Sequence, residues 1–153
     1  MKYWLLKSDP EEFTWQDLKE SKNKSTCWDG VRNYQARNYL KEMKENDQAF
    51  FYHSVVDPQT IMGVVKIVRE AYPDHTQFDP SHDHFDPKST KEEPRWFMVD
   101  IQYLADFNPP ITRNELKEIP RLQDMVLFKN SRLSVQPITK AQWDTIQNLR
   151  SKA

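Results

Sequence analysis

The stretch Trp28-Asp29-Gly30-Val31-Arg32-Asn33-Tyr34-Gln35-Ala36-Arg37-Asn38-Tyr39-Leu40 combines a tryptophan, a turn and the start of a helix. Apolar residues recur from there at the spacing of one helix face: Ala36, Tyr39, Leu40 and Met43. Asn33 is a suitable N-cap, because its side chain accepts a backbone N–H of the first helical turn. Arg37 and Asn38 lie off the apolar stripe and are not needed to fill the core. We therefore predict an amphipathic helix whose polar face is available to a ligand.

The residue types of this stretch suit a nucleobase and its phosphate. Trp28 offers a flat surface for stacking, and the amides of Asn33 and Asn38 offer hydrogen bonds to a base edge. The start of a helix attracts anions, because its first N–H groups lack partners and its dipole is positive there. The alternative is that Trp28 fills the core beside an ordinary surface helix, and the stretch alone leaves both interpretations open.

The length and composition limit the class of protein. A chain of 153 residues predicts a single domain, 1–153, large enough to bury a core without disulfides. Two glycines exclude a glycine-rich phosphate loop, and the single cysteine, Cys27, excludes an intramolecular disulfide and fits a reducing compartment. We find no apolar leader and no run long enough to span a membrane. We expect a cytoplasmic monomer with no membrane partner.

The formal net charge of −1 gives the chain no overall attraction to nucleic acid. Any phosphate contact must come from a local basic patch, which we place at Lys7, Arg32 and Arg37 around the pocket. We therefore expect a positive rim that contacts only a few phosphates, and binding that depends mainly on the base.

Hydrophobic patterning predicts an α+β fold around a mixed, curled sheet, because strands and helices do not alternate strictly. The strands are predicted at Met1–Lys7 (with the apolar run Tyr3–Leu6), Gln48–Val56, Thr60–Tyr72, Arg95–Leu104, Met125–Phe128 and Leu133–Val135, with Pro109-Pro110 as a break. The helices are predicted at Glu11–Glu20 (capped by Ser8 or Asp9, with Pro10 first), from Asn33 to near Glu45, after Thr112 and after Thr139. The segment 73–94 is a long irregular loop of the kind that is commonly functional.

Residues that are capable of catalysis do not form a convincing set. A triad of Ser8, His53 and an aspartate lacks a nucleophile elbow and a glycine-rich oxyanion loop. His82 and His84 stand among aspartates as metal ligands do, but a solvated loop is the better interpretation of that spacing. We expect no catalytic residue, no metal and no cofactor.

Several separated motifs resemble those of the EVE domain family. The first matching runs are Tyr3-Trp4-Leu5-Leu6-Lys7-Ser8-Asp9-Pro10, the stretch from Trp28 to Asn38, and Phe50-Phe51-Tyr52-His53-Ser54. Further runs are Gly63-Val64-Val65, Ala71-Tyr72-Pro73-Asp74, Phe85-Asp86-Pro87-Lys88-Ser89, Pro94-Arg95-Trp96 and Arg132-Leu133-Ser134-Val135-Gln136-Pro137. These runs cover nearly the whole chain, and the second is very specific.

The resemblance implies a PUA-like fold, which is a curled mixed β-barrel with flanking helices. It also implies a relationship to YTH domains, which hold a methylated adenine in an aromatic cage, and an association with modified cytosines in DNA or modified RNA bases. By this similarity Trp28 takes the place of a cage wall, and Lys7-Ser8 the place of a contact to the base edge. The sequence differs from the family at Asp9, where glutamate is usual, at Asn46-Asp47, where a Gly-Asp turn is usual, and at His82-Asp83-His84, where aromatic residues are usual.

We therefore predict a non-catalytic reader of a modified nucleobase, either a modified cytosine or a methylated base in DNA or RNA, held in an aromatic pocket. The predicted pocket residues are Ser8, Trp15, Trp28, Asn33, Asn38, His53, Ser54 and Phe78, and the predicted phosphate-binding residues are Lys7, Arg32 and Arg37. Two alternatives remain open: a domain that binds a free nucleotide or another small molecule, and a small hydrolase or nuclease that uses His53.

Overall fold

Six strands and five helices occupy residues 1–150, which are the residues that the computed structural model describes. The last three positions of the predicted domain, 151–153, lie outside the described residues. The strands are β1 (Tyr3–Ser8), β2 (Ser25–Cys27), β3 (Gln48–His53), β4 (Thr60–Pro73), β5 (Phe97–Thr112) and β6 (Val135–Ile138). The helices are α1 (Trp15–Glu20), α2 (Tyr34–Glu42), α3 (Arg113–Lys117), α4 (Val126–Lys129) and α5 (Lys140–Gln147). Short 3₁₀ turns lie at Lys22–Lys24, His75–Phe78 and Pro120–Leu122.

All six strands belong to one mixed sheet with the order β2-β5-β4-β3-β1-β6. β1 runs parallel to β3, and the other neighbours are antiparallel. Four register shifts between β4 and β5 bend the sheet, because each shift adds local twist. At one of them Gly63 leaves room for the Trp15 ring, which a Cβ atom would overlap. The predicted α+β class, with a curled mixed sheet and flanking helices, is confirmed.

Helix α2 covers one face of the sheet and contacts β4, β5 and β6. Its predicted apolar face is confirmed, since Ala36, Leu40 and Met43 are buried against Trp4 and Leu6 of β1. A second apolar cluster covers the opposite face and contains Leu5, Phe50, Tyr52, Trp143 and Ile146. The alternation along β1 supplies both clusters, because successive side chains of a strand point to opposite faces.

Helix α1 begins later than predicted, at Trp15 instead of Glu11. Thr14 caps it: the Thr14 hydroxyl accepts the Asp17 N–H at 2.9 Å, and the Asp17 carboxylate accepts the Thr14 N–H at 2.9 Å. Ser8 does not cap this helix, because its hydroxyl donates to the Phe13 carbonyl. The reciprocal capping box at residues 14 and 17 satisfies two donors and is therefore the stronger start signal.

Further elements differ from the prediction, and β2 lies in a segment for which no strand is predicted. Pro109-Pro110 does not end β5, because both prolines fall where the β4–β5 register shifts and no ladder N–H is required. Residues 126–129 form helix α4 instead of a strand: the N–H groups of Phe128 and Lys129 donate back to the Met125 carbonyl. The strand that pairs with β1 is therefore β6, which begins at Val135.

Candidate nucleic-acid interface

A cleft of about 610 Å³ opens beyond the ends of β1 and β2. Four separate parts of the chain line it: Lys7, Ser8, Asp9, Glu12 and Phe13; the run Thr26, Cys27, Trp28, Asp29, Gly30, Val31 and Arg32; His82, Asp83 and His84; and Ser134. The cleft therefore joins the start of the stretch at 28–40 to the long loop after β4.

Trp28 and Phe13 form the aromatic wall of this cleft. Trp28 is 7% exposed, and its backbone N–H donates to the Val99 carbonyl at 2.7 Å. Phe13 and Phe51 meet its ring nearly at right angles, with ring centroids 6.4 and 5.4 Å away. Edge-to-face contacts of this kind hold an aromatic ring in one orientation. The wall is therefore rigid, and Trp28 borders both the core and the cleft.

The buried carboxylate of Asp74 fixes the turn that follows Trp28. It accepts the Gly30 N–H at 2.8 Å, an Arg32 N–H at 3.1 Å and the Thr76 N–H at 2.8 Å. Burial alone would raise the pKa of Asp74, but the hydrogen bonds from Thr76, Gly30 and Arg32 hold this pKa below its usual value. Asp74 is therefore ionised and joins the 28–32 segment to the long loop.

Arg32 uses all five of its N–H donors inside the protein. Nε and Nη2 donate to the His84 carbonyl at 3.1 and 2.9 Å, Nη1 donates to the Val31 carbonyl at 2.9 Å and to Asp74 at 3.1 Å, and Nη2 also donates to the Thr76 hydroxyl at 3.0 Å. Arg32 lines the cleft as predicted, but it holds the His84 backbone in place instead of presenting donors to a phosphate.

The far wall of the cleft consists of two imidazoles. The His84 ring packs directly over Gly30, where a Cβ atom would overlap it, and the positive φ of +80° at Gly30 also favours glycine. The His82 Nδ1 accepts the His84 N–H at 3.0 Å, and the two ring centroids are 4.7 Å apart. Within residues 1–150, no group of three or more His, Cys, Asp or Glu side chains is placed to hold a metal ion.

The cleft carries more carboxylates than free cations, so the predicted positive rim is not what the structure shows. Asp9, Glu12, Asp29 and Asp83 line it. Asp29 is half-buried, and its carboxylate accepts no hydrogen bond from any residue in the described range 1–150. The Asp9 carboxylate differs, because it accepts the Glu11 N–H at 2.9 Å. Asp29 is therefore available to a ligand beside Trp28.

Three predicted residues on α2 lie outside the cleft lining. Asn33 caps the helix as predicted, its side chain accepting the Ala36 N–H at 2.9 Å. Arg37 donates to the Asn38 side chain at 2.8 Å and to the Arg95 carbonyl at 2.9 Å. These residues lie off the buried stripe of the helix, which faces the sheet, and they do not line the cleft.

Four other predicted pocket residues are also not brought to the cleft. Trp15 is buried, and its indole N–H donates to Asp106 at 2.7 Å. His53 accepts the Trp15 backbone N–H at its Nε2 at 3.0 Å. Ser54 donates its N–H to the Ser8 carbonyl at 2.9 Å, and Phe78 is half-buried in a 3₁₀ turn of the long loop.

Lys7 and Ser8 do line the cleft, at the end of β1. The Ser8 hydroxyl donates to the Phe13 carbonyl at 2.5 Å, which positions the aromatic wall. The Lys7 ammonium donates to the Ser131 carbonyl and lies 5.8 Å from the centroid of the Tyr52 ring. Burial and, to a smaller extent, repulsion by a nearby arginine lower the pKa of Lys7. An ammonium has three N–H donors, so Lys7 keeps donors for a further partner.

Sequence reasoning missed Phe13, Cys27 and Asp29 as cleft residues. Burial, followed by the nearby Asp29 carboxylate, raises the pKa of the Cys27 thiol, so the thiol stays protonated and is a poor nucleophile. The available signal for Asp29 was its position between Trp28 and Gly30. Asn33 caps the following helix, so the Asp29 side chain is not needed as a cap. The signal for Phe13 lay in the spacing of Thr14 and Asp17, whose capping box starts the helix after Phe13.

The family model of the EVE domain matches residues 2–149. The chain belongs to the EVE domain family. Thymocyte nuclear protein 1 of Mus musculus is 46% identical over 164 residues, which cover 96% of this chain and 73% of the mouse protein. Thymocyte nuclear protein 1 of Homo sapiens is 44% identical over 167 residues, covering 98% of this chain and 74% of the human protein. The predicted family resemblance is confirmed.

Solved structures agree with the fold of this EVE domain. The crystal structure of the human THYN1 protein in complex with 5-methylcytosine-containing DNA matches with a TM-score of 0.95 and 44% identity, over 100% of this chain and 99% of that chain. A YTH domain of Zygosaccharomyces rouxii MRB1, solved with N6-methyladenosine RNA, matches with a TM-score of 0.54 at 17% identity, over 97% of this chain and 85% of that chain. This second likeness concerns the fold alone, and the predicted PUA-like fold is confirmed.

The expected cytoplasmic location is wrong. The curated relatives are named thymocyte nuclear protein 1, and this name places those proteins in the nucleus. The expectation rested on a single cysteine and on missing apolar runs, and both features are equally compatible with the nucleus, which is also reducing. No helix within residues 1–150 is long and apolar enough to cross a membrane.

Stability should fall at mildly acidic pH because of His53. Burial lowers the pKa of His53, and its neutral Nε2 accepts the Trp15 N–H. The unfolded chain therefore binds a proton at His53 below about pH 6.5, whereas the native chain does not. The contribution of neutral His53 to the free energy of unfolding is present above that pH and is lost as the pH falls below it. We expect the Tm to drop between about pH 7 and about pH 5, and His53→Gln, which keeps an acceptor, to drop less. The exposed His75→Gln is the control and should drop as the wild type does; an identical drop in all three proteins would contradict this role.

Arg32→Lys should weaken the far wall, because a lysine cannot reproduce the five fixed donors that hold Asp74 and the His84 carbonyl. We expect a loss of about 1–3 kcal/mol in the free energy of unfolding and faster tryptic cleavage at the exposed Lys88. Arg37→Lys is the matched control, because Arg37 bonds mainly to its own neighbour, and it should change neither quantity appreciably. Equal protease resistance of wild type and Arg32→Lys would show that Arg32 does not hold the loop.

Proposed function

We propose that this EVE domain is a non-catalytic reader of a modified nucleobase, carried in DNA or RNA and held in the cleft against Trp28. The observation that carries the proposal is the match to the human THYN1 protein, whose crystal structure is in complex with 5-methylcytosine-containing DNA. At 44% identity over the whole chain, the two proteins share their architecture closely enough for a common ligand class. Residues 1–153 act as one monomeric domain whose partner is nucleic acid and not a membrane.

The cleft has the surfaces that a splayed-out base requires. Trp28 and Phe13 supply an aromatic wall, and beside it Asp29 supplies a carboxylate that accepts no hydrogen bond within residues 1–150. A carboxylate accepts a hydrogen bond from the amino group of cytosine or adenine, and it repels the carbonyl oxygen that thymine and uracil carry at the same position. We therefore propose an amino-bearing base, which includes 5-methylcytosine.

Charge contributes little to this interaction. Arg32 and Arg37 donate to acceptors within the protein, and Lys7 is left as the cleft cation that can reach a flanking phosphate. Each neutralised phosphate of a single strand contributes a slope of about −0.7 in log affinity against log salt. The salt dependence should accordingly be shallow, and the base should decide the affinity.

The groups that a hydrolase would need are occupied. The Nε2 of His53 accepts a backbone N–H, the Ser8 hydroxyl donates to a carbonyl, and the raised pKa of Cys27 keeps its thiol protonated. A nuclease or hydrolase that uses His53 as its base is thus the less supported alternative, and turnover of an oligonucleotide that His53→Gln abolishes would establish it.

Trp28→Leu should remove the stacking surface while keeping an apolar side chain. Base stacking on an aromatic side chain is worth about 1–3 kcal/mol, so the affinity for a single-stranded oligonucleotide with one 5-methylcytosine should fall about 5- to 150-fold in a fluorescence titration. Trp143→Leu is the matched control, because Trp143 is 5% exposed but lies in the other apolar cluster. A Trp28→Leu protein that is folded by circular dichroism and binds like the wild type would refute the proposed pocket. Free nucleosides in the same titration test the small-molecule alternative, which predicts that they bind as well as the oligonucleotide.

Asp29→Asn should relax the choice of base without abolishing binding. The amide of asparagine both donates and accepts, so it tolerates the carbonyl of thymine as well as the amino group of cytosine. We expect the difference in binding free energy between cytosine-type and thymine oligonucleotides to shrink by about 1–3 kcal/mol, which lowers the ratio of their affinities. Asp9→Asn removes the same charge from the same cleft, but its carboxylate already accepts the Glu11 N–H, so the ratio should stay unchanged. Equal ratios in wild type and Asp29→Asn would exclude this residue as the reader of the amino group.

A further inference from the structure

The loop between β3 and β4 exposes two valines beside the cleft. Val55 is 74% exposed and Val56 is 38% exposed. The residue before them, Ser54, donates both its N–H and its hydroxyl to the Ser8 carbonyl, at 2.9 and 3.2 Å. Because Ser8 lines the cleft, these two hydrogen bonds fix the start of the valine pair to the cleft wall.

Val55 adopts a backbone conformation that valine rarely tolerates. Its φ is +61°, in the left-handed region, where a β-branched side chain is a genuine outlier and glycine or asparagine is usual. The side chain is exposed, so packing of the core does not require a valine at this position. Strained backbone of this kind concentrates at segments that contact ligands. The exposed position and the strain together indicate that the Val55 side chain contacts a binding partner.

Two cations lie near this loop: Lys7 lines the cleft, and Arg113 lines a cavity with Val56. Lys7 lies at the cleft, and Arg113 is close enough to lower the pKa of Lys7 further by repulsion. Arg113 is fixed to the far end of the same loop, because its N–H donates to the Gln59 carbonyl at 2.9 Å. Asp57 is the acidic residue of the loop, and it lines a separate cavity of about 310 Å³ with Val56 and Arg113. The loop thus presents an exposed apolar tip, with Arg113 at its far end and Lys7 at the neighbouring cleft.

We propose that Val55 and Val56 enter the base stack of a double-stranded DNA and occupy the space left by the nucleobase that rotates into the cleft. Lys7 and Arg113 contact backbone phosphates of the same duplex. Apolar side chains that insert at a base step offset part of the cost of unstacking, which every protein that extracts a base from a duplex must meet. This inference rests on the proposed function, because the wedge is useful only if a base enters the cleft.

The test compares a duplex and a single strand of the same sequence, each with one 5-methylcytosine. The variant Val55→Gly/Val56→Ser removes both side chains, and glycine also relieves the strain at position 55, so the fold is retained. We expect about a tenfold loss of affinity for the duplex and no loss for the single strand, in which the base is already unstacked. Leu104→Ser is the matched control, since Leu104 is an exposed apolar residue (42%) on β5, and it should bind both substrates like the wild type.

A 2-aminopurine placed next to the modified cytosine gives a second readout, because its fluorescence rises when its neighbour leaves the stack. The wild type should raise this fluorescence in the duplex, and the double variant should raise it less at saturating protein. Unchanged duplex affinity, or an equal loss on duplex and single strand, would overturn the wedge alone. A wild type that prefers the modified base in neither substrate would instead overturn the proposed function on which the wedge rests.

Discussion

The cleft depends on one buried carboxylate. Asp74 receives donors from Gly30, Arg32 and Thr76, which belong to two segments more than forty positions apart in the chain. An ionised carboxylate away from water is stable only while such donors surround it, so the turn after Trp28 and the start of the long loop must come together. Gln77 extends this arrangement, because its amide donates to the carbonyls of Asp74 and Trp96 at 2.7 and 2.8 Å.

This arrangement explains why a long irregular loop forms a rigid wall. Gln77 also accepts the Trp96 N–H at 3.1 Å, and the Trp96 indole donates to Asp86 at 2.7 Å. Side chains of the loop therefore satisfy its backbone donors and acceptors, as backbone partners do in a helix or a sheet. The imidazole of His84 is placed against Gly30 as a result, and a base in the cleft would meet a preformed surface. Preformed walls reduce the ordering cost of binding.

The same contacts set the electrostatic character of the site. Arginines that look available in the sequence donate to acceptors within the protein, Arg32 in the far wall and Arg37 outside the cleft, whereas the carboxylate of Asp29 remains without a partner among residues 1–150. In the proposed function, selection by a hydrogen-bond acceptor outweighs attraction by positive charge, which suits a protein with a net charge of −1. The Val55 loop adds a contact to the surrounding duplex that needs neither base identity nor a large basic surface.

The sequence by itself determined the elements whose signals are local. The apolar stripe of α2, the caps at Asn33, Thr112 and Thr139, and the α+β class all follow from periodicity and capping chemistry within a few residues. Only the tertiary structure decided which side chains meet at the cleft. Whether Arg32 faces a phosphate or Asp74, and whether Trp15 lies in the pocket or over Gly63, depends on partners more than forty residues away. No local pattern encodes such contacts, because burial and hydrogen-bond satisfaction are properties of the folded chain as a whole.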